Sequence, residues 1–271
     1  MKKVGFIGGG NMAGALVKGL IASGRYGADD LVVSDASPDA RRRLARTHRV
    51  ETVRDNVAVV RTSRIVVLAV KPQVMGDVLA ELRGVVTARH LVVSIAAGVP
   101  LATMERALGS AARVVRVMPN TPALLGRGMS VAVAGRHATL ADVRTVVRLF
   151  KAVGDAVAID REALMDAVTA LSGSGPAFVY AFAEHLIAGG AALGLEPALA
   201  SRLALATIAG ASAMLEGGGR SPKELREMVS SPGGTTLAGL AAMADHDFGG
   251  AVTAALRAAA ARSRELATGK G

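Results

Sequence analysis

The chain of 271 residues has no cysteine and no tryptophan. Without cysteine there is no disulfide, no thiolate metal ligand and no cysteine nucleophile, and a reducing compartment is the natural setting. Aromatic residues amount to 3 %, too few for base-stacking platforms, so the net charge of +10 does not predict a nucleic-acid partner. The arginines are spread along the chain rather than gathered in one tail, which predicts a solvated basic surface whose field attracts anionic ligands. Histidine is sparse too. His48, His90, His137, His185 and His246 stand far apart with no paired ligand spacing, and no metal site is expected. Neither a G-x-S-x-G elbow nor a G-x-x-x-x-G-K-S/T loop occurs.

Uninterrupted apolar stretches are lacking as well. Met1-Lys2-Lys3-Val4-Gly5-Phe6-Ile7 starts like a signal peptide, but Gly8-Gly9-Gly10-Asn11 breaks the run at once and no cleavage site follows. The apolar stretch 177–215 is interrupted by Glu184, His185, Glu196, Pro197 and Arg202, so no clean membrane span is expected. A cytoplasmic location with no membrane partner follows as an expectation.

What is present is a globular composition, with 51 % apolar and 20 % charged residues. Over the first 160 residues, β-branched runs at 3–8, 31–34, 65–70, 91–95, 113–118, 129–134 and 154–159 alternate with helical patterns at 12–23, 38–47, 73–83, 100–108 and 139–152. Near-continuous runs such as Ile65-Val66-Val67-Leu68-Ala69-Val70 predict strands buried on both faces, hence a mostly parallel sheet. Beyond about residue 160 the β-branched runs stop and apolar residues recur at helical spacing through 163–171, 176–194, 198–216 and 248–267. The expected organisation is an α/β domain over 1–160 and an all-α domain over 161–271.

The first strand leads through Gly8-Gly9-Gly10-Asn11-Met12-Ala13 into a helix. This is G-x-G-x-x-A at a first βα turn. Gly8 permits the tight turn, Gly10 admits a pyrophosphate to the backbone, and Ala13 allows close helix–strand packing. The helix start then aims free N–H groups and the positive dipole end at phosphates. That context makes a Rossmann-like dinucleotide site the favoured reading. Asp35, 25 residues after Gly10, is placed to bind ribose hydroxyls and disfavour a 2′-phosphate. Ser37 and Arg41-Arg42-Arg43 could instead hold such a phosphate, although a solvated helix face is preferred for the arginines. NAD and NADP thus both stay open, with a lean toward NADH or dual use.

Three further loops fall at carboxyl ends of strands, where open α/β sheets bind ligands. They are Ala69-Val70-Lys71-Pro72, then Ser94-Ile95-Ala96-Ala97-Gly98, and Met118-Pro119-Asn120-Thr121-Pro122. The small residues of the second would let a flat ring lie close, and the third fixes the Asn120 amide between two prolines. Their common edge predicts one shared site. Hydride transfer is the chemistry that remains, since it needs only a positioned nicotinamide, an electrophilic carbon and a proton donor.

In the helical half, Leu171-Ser172-Gly173-Ser174-Gly175-Pro176-Ala177 opens a long helix, with Pro176 suited to its first turn and Ser174 a candidate cap. Ser230-Ser231-Pro232-Gly233-Gly234-Thr235-Thr236 packs hydroxyls and free N–H groups into a loop fit to close around a small anion.

The glycine turn, Ala69-Val70-Lys71-Pro72, the run from Asp166 to Ala177, and Ser231-Pro232-Gly233-Gly234-Thr235-Thr236 resemble pyrroline-5-carboxylate reductase, in order and along essentially the whole chain. The last two motifs are specific to that family. The resemblance implies reduction of 1-pyrroline-5-carboxylate, a cyclic imino acid, to L-proline by NAD(P)H, the last step of proline synthesis. It implies cofactor contacts from Ile7, Gly8, Gly9, Gly10, Asn11, Met12, Asn56, Ala69, Val70, Lys71, Pro72, Ile95, Ala96 and Ala97. Asp35, Ser37 and Asn120 join them from the residue reading above. Substrate would be held by Ser231, Gly233, Gly234 and Thr235, with Glu162 grouped beside them, and Thr236 would stand nearest the ring nitrogen as the catalytic hydroxyl. Family members form dimers through the helical half, often within larger rings such as a decamer, and build each site from two subunits. Asp35-Ala36 departs from the Asn-Arg that many bacterial relatives carry after the second strand. Rival expectations are a reductase of another cyclic imine or of a hydroxyacid, and a dinucleotide-sensing regulator that binds DNA.

Overall fold

The computed structural model describes residues 2–109 and 111–267. Its strands are β1 (Lys2–Ile7), β2 (Leu31–Ser34), β3 (Glu51–Val53), β4 (Ser63–Leu68), β5 (Leu91–Ser94), β6 (Arg113–Pro119), β7 (Gly128–Ala134) and β8 (Gly154–Ile159). They form one sheet in the order β3-β2-β1-β4-β5-β6-β7-β8. All neighbours are parallel except β6 and β7, so the mostly parallel α/β expectation holds.

Between the strands lie α1 (Asn11–Ala22), α2 (Pro38–His48), α3 (Asn56–Thr62), α4 (Met75–Leu82), α5 (Leu101–Leu108) and α6 (Leu140–Phe150). Side-chain alternation splits the core in two. Val4, Phe6, Val33 and Val67 face Leu16 and Leu20 of α1, Leu44 of α2 and Leu149 of α6. Ile7, Val66 and Leu68 face Val59 of α3, Leu79 of α4 and Met104 of α5. Both faces of the sheet are therefore covered, which is why its strands read as continuous apolar runs. Edge strand β3 and the short α3 escaped the sequence reading. Three residues are too few for a periodic signal, and α3 is set by its cap, Asp55 Oδ1 accepting from Val57 N at 2.8 Å.

After β8 the chain becomes helical, with α7 (Met165–Val168), α8 (Gly175–Ala192), α9 (Pro197–Glu216), α10 (Pro222–Met228), α11 (Thr235–Asp245) and α12 (Phe248–Ala267). A π-helical turn over Thr169–Gly173 joins α7 to α8. Ser174 is therefore not the cap of a fresh helix. It sits at helical φ, and its N–H donates to Thr169 O at 2.8 Å. Two compact units result. One holds residues up to Ser174 and those from Ala259 on, the other Gly175–Ala258. In the first, the end of α12 is held by Ser263 Oγ, which donates to Asp166 Oδ1 at 2.7 Å.

In the second unit few side chains are buried: Ala183 of α8 and Ala200 and Ala204 of α9. Phe178, Phe182, Leu186, Met243, Phe248 and Val252 line an open groove of about 500 Å³, with the Phe182 and Phe248 rings 6.5 Å apart. Helices apolar on all sides require a further surface to pack against. By length and composition α9 also qualifies as a membrane span, which the sequence reading had not anticipated for this stretch.

Candidate active site

The strand order reverses direction between β1 and β4, and the crevice at their carboxyl ends is where an open α/β sheet takes its ligand. Gly8 turns the chain there at φ +99°, and a Cβ on it would lie 2.7 Å from Ala69 O. Its N–H donates to Ser34 O at 2.8 Å, and Ala69 N donates to Ile7 O at 2.8 Å, so the glycine turn is tied to both neighbouring strands. Gly10 is the N-cap of α1 and supplies no side-chain cap. The N–H groups of Asn11, Met12 and Ala13 therefore have no side-chain acceptor and precede the first helical bond, Gly14 N to Gly10 O. A Cβ on Gly10 would meet nothing within 4 Å. Open space in front of free amides at a helix start fits a pyrophosphate.

Asp35 and the arginines brace this turn. Asp35 Oδ2 accepts from Gly9 N at 2.7 Å, and Oδ1 from Ser37 N at 2.7 Å. Arg43 donates to Gly9 O at 2.8 Å, while Arg41 donates to Asp35 O at 2.6 Å and Ala36 O at 3.0 Å. Only Arg42, paired with Asp39, behaves as the solvated residue expected of the whole run. Sequence reasoning missed this clamp because a run of three arginines looks alike residue by residue. Only the fold shows which of them reach back to the turn. Ser37 Oγ caps α2 through Ala40 N at 3.3 Å. Asn56 links Ser34 Oγ (2.7 Å) to Glu81 Oε2 (2.7 Å), one strand away from the turn.

Ala69, Val70, Lys71 and Pro72 leave β4 beside the turn, and Ile95 continues β5 with its N–H on Leu68 O at 3.1 Å. Ala96 is buried with its N–H on Ser94 Oγ at 3.3 Å, and Ala97 follows half-buried. The fold thus brings Ile7–Met12, Asp35, Asn56, Ala69–Pro72 and Ile95–Ala97 to one edge. Asn120 stands at the end of β6, but its amide is committed: Oδ1 accepts from Met129 N at 2.8 Å and Nδ2 donates to Ser172 O at 3.2 Å.

Glu162 lies in the first unit. Its Oε1 accepts from Leu101 N and from the buried Arg116 guanidinium, both at 2.8 Å, so it closes the start of α5 while neutralising Arg116. Glu162→Ala would leave that guanidinium buried without a counter-charge. The expected cost is about 3 kcal/mol, the low end for a broken buried pair because Glu162 is 30 % exposed. Chemical denaturation measures it, and an unchanged midpoint would remove the pair from the list of structural ties.

The other glycine loop belongs to the second unit. Gly234 N donates to Ser231 O at 3.0 Å and Gly233 has φ +71°, so Ser231-Pro232-Gly233-Gly234 has the signature of a type II turn, with Pro and Gly at its two central positions. Gly234 is the N-cap of α11 and again gives no side-chain cap. The first N–H groups of α11, from Thr235 and Thr236 onward, are left for an external acceptor, with the Ser231, Thr235 and Thr236 hydroxyls beside them.

A glycine turn seated on an uncapped helix at the switch point of a doubly wound sheet defines a dinucleotide-binding protein. Residues 162–266 match the family model for pyrroline-5-carboxylate reductase dimerisation, and residues 3–98 match one described as NADP oxidoreductase, coenzyme F420-dependent. The pyrroline-5-carboxylate reductase of Methanosarcina acetivorans is 41 % identical over 98 % of this chain and 98 % of its own. A solved pyrroline-5-carboxylate reductase from Coxiella burnetii superposes with a TM-score of 0.92 at 35 % identity, covering 98 % of both chains. A pyrroline carboxylate reductase of Plasmodium falciparum, solved with NADP bound, gives 0.87 at 32 % identity with the same coverage. The chain belongs to the pyrroline-5-carboxylate reductase family.

Proposed function

We propose that the protein reduces the C=N bond of 1-pyrroline-5-carboxylate to give L-proline, the closing step of proline synthesis. The observation that carries the reading is the presence, in one chain, of two uncapped helix starts behind glycine turns: α1, fit for a pyrophosphate, and α11, fit for a carboxylate and edged with hydroxyls. The dihydronicotinamide supplies a hydride to the imine carbon while the ring nitrogen gains a proton. The N–H groups around Gly233 and Gly234, with the Ser231 and Thr235 hydroxyls, hold the substrate carboxylate. Thr236 donates its hydroxyl hydrogen bond to the ring nitrogen, making the imine carbon electrophilic and relaying a proton from water. Ile7–Met12, Ser37, Asn56, Ala69–Pro72 and Ile95–Ala97 line the cofactor. Asn120 steadies the edge through Met129 and Ser172. Glu162 Oε1 is engaged, and its Oε2, without a hydrogen-bond partner among the described residues, is assigned to the substrate.

Asp35 places a carboxylate at the ribose end, and Arg41 and Arg43 are engaged with backbone carbonyls. NADH is therefore used at least as well as NADPH. Initial rates with both cofactors on pyrroline-5-carboxylate and pyrroline-2-carboxylate test the function and the preference together. Faster turnover of the 5-carboxylate is expected, and no substrate-dependent loss of NAD(P)H absorbance would end the reading. The dimerisation match makes the protein a homo-oligomer. We further propose that a second copy covers the apolar faces of α8 and α9, that each site draws on two subunits, and that dimers assemble into a ring such as a decamer. A cytoplasmic location, without membrane or nucleic-acid partners, completes the proposal. A division of labour near residue 160 is part of the same proposal; β8 ends at Ile159, while the compact units part at Ser174 and residues from Ala259 on belong to the first.

A further inference from the structure

At the amino-terminal edge of the sheet, opposite the dinucleotide crevice, lies a depression of about 500 Å³ between α6 and the starts of β4, β5 and β6. Ile65 and Leu91 are register neighbours there, as are Leu91 and Arg113, so the lining is set by strand pairing rather than by a loop. Around these two apolar residues stand Arg64, Arg89 and Arg113, with Asp142 and Thr145 from α6.

The three guanidiniums differ in state. Arg113 is satisfied: it donates to Asp142 Oδ1 at 2.7 Å, Ala88 O at 3.0 Å and Arg89 O at 3.2 Å. Asp142 is engaged in turn, since its Oδ2 accepts from Thr139 N and Oγ1, both at 2.9 Å. Among the described residues Arg89 gives only its Nε, to His90 Nε2 at 3.2 Å. Neither Arg64 nor Arg89 has an ion-pair partner among the described residues. Ser63, buried at the start of β4, also lines the depression; its hydroxyl lies beside Gly5 and has no hydrogen-bond partner among the described residues. Burial, and after it the charge of Arg89, holds the His90 imidazole below its usual range, and the acid in the lining, Asp142, is spent on Arg113.

We infer that this depression binds the phosphoryl group of a small phosphorylated molecule, gripped by Arg64 and Arg89. Guanidinium forks match tetrahedral oxyanions in bidentate fashion. The volume is that of a small-molecule site, larger than a lone ion needs, and the apolar Ile65 and Leu91 offer contact to the rest of such a ligand. This site is independent of the cofactor reading, being on the other edge of the sheet.

Titration calorimetry on the full chain at low ionic strength, with NADP⁺ present to fill the cofactor site, tests it using inorganic phosphate and glycerol 3-phosphate. Saturable binding is expected, tighter for the ester, and the double variant R64A/R89A is expected to weaken it at least tenfold. R83A, which removes one charge that is also exposed, at the end of α4, leaves affinity unchanged. Equal affinity for both probes supports the phosphoryl grip with free phosphate as its source. Absence of binding to the wild-type chain, or equal weakening by R83A and R64A/R89A, overturns the proposal. Both arginines are exposed, and unchanged thermal unfolding of the variants confirms that binding alone is read.

Discussion

Gly8→Ala is expected to abolish measurable cofactor binding and to lower stability by about 2–6 kcal/mol, the sum of a non-glycine residue held at positive φ and an overpacked contact. The residue sits at φ +99°, and its new methyl would lie 2.7 Å from Ala69 O and 2.8 Å from Ala69 C. Those atoms are backbone, and Ala69 is held by its own bond to Ile7 O, so they cannot swing aside as a side-chain tip would. Relief requires the turn to move away from the Ala69–Pro72 segment, which separates two parts of the proposed cofactor site. Gly10→Ala is the matched control. A Cβ there meets nothing in the protein, so the unfolding midpoint should stay put while affinity for NAD(P)H falls at least tenfold, about 1.4 kcal/mol, because the methyl occupies the approach to the α1 amides. Fluorescence titration with NADH and thermal unfolding of both variants separate the effects. Equal stability loss in the two would show that the turn is a packing device only.

Thr236→Ala is expected to lower turnover well beyond tenfold while leaving cofactor affinity near the wild-type value. Thr236 is the second residue of α11 and half-buried, and α11 is entered from a glycine cap, so the helix does not depend on this hydroxyl for capping. The loss is thus assigned to the transition state, where a hydrogen bond to the ring nitrogen grows as the nitrogen gains its proton. Thr236→Ser keeps the hydroxyl and should retain most of the rate. Single-turnover and steady-state kinetics decide between roles. A rise in KM alone would make Thr236 a binding residue, and an equal loss of NAD(P)H affinity would remove it from the chemistry.

Much of this is legible in the sequence. Val4 to Ala13 spells a buried strand, a glycine turn and a helix start, because each step is a local conformational requirement: continuous apolar residues for a strand covered on both faces, Gly8 for a positive φ, and no capping side chain at Gly10. Ser231 to Thr236 was legible for the same reason. A proline followed by two glycines permits few backbones, and the observed turn is one of them.

Other features rest on distance in space. Arg116 is one apolar-strand residue among many until Glu162, 46 positions on, is folded against it. Arg43 reads as surface until Gly9 O comes within 2.8 Å, and Asn120 reads as a ligand until Met129 and Ser172 occupy its amide. The π-turn over Thr169–Gly173 carries α7 into α8 where a cap at Ser174 was expected, since helical backbone bonding there outweighed a local side-chain preference.

The sequence by itself determined the strand runs, both glycine turns and the chemistry they can host, because these depend on residues adjacent in the chain. Tertiary structure alone decided which arginines brace the turn, which carboxylate neutralises Arg116, and that Arg64 and Arg89 share an edge with the unpartnered Ser63 hydroxyl. Charge pairing is settled by which side chains the fold brings within hydrogen-bonding distance, and the register of β4, β5 and β6 sets that distance across tens of residues of chain.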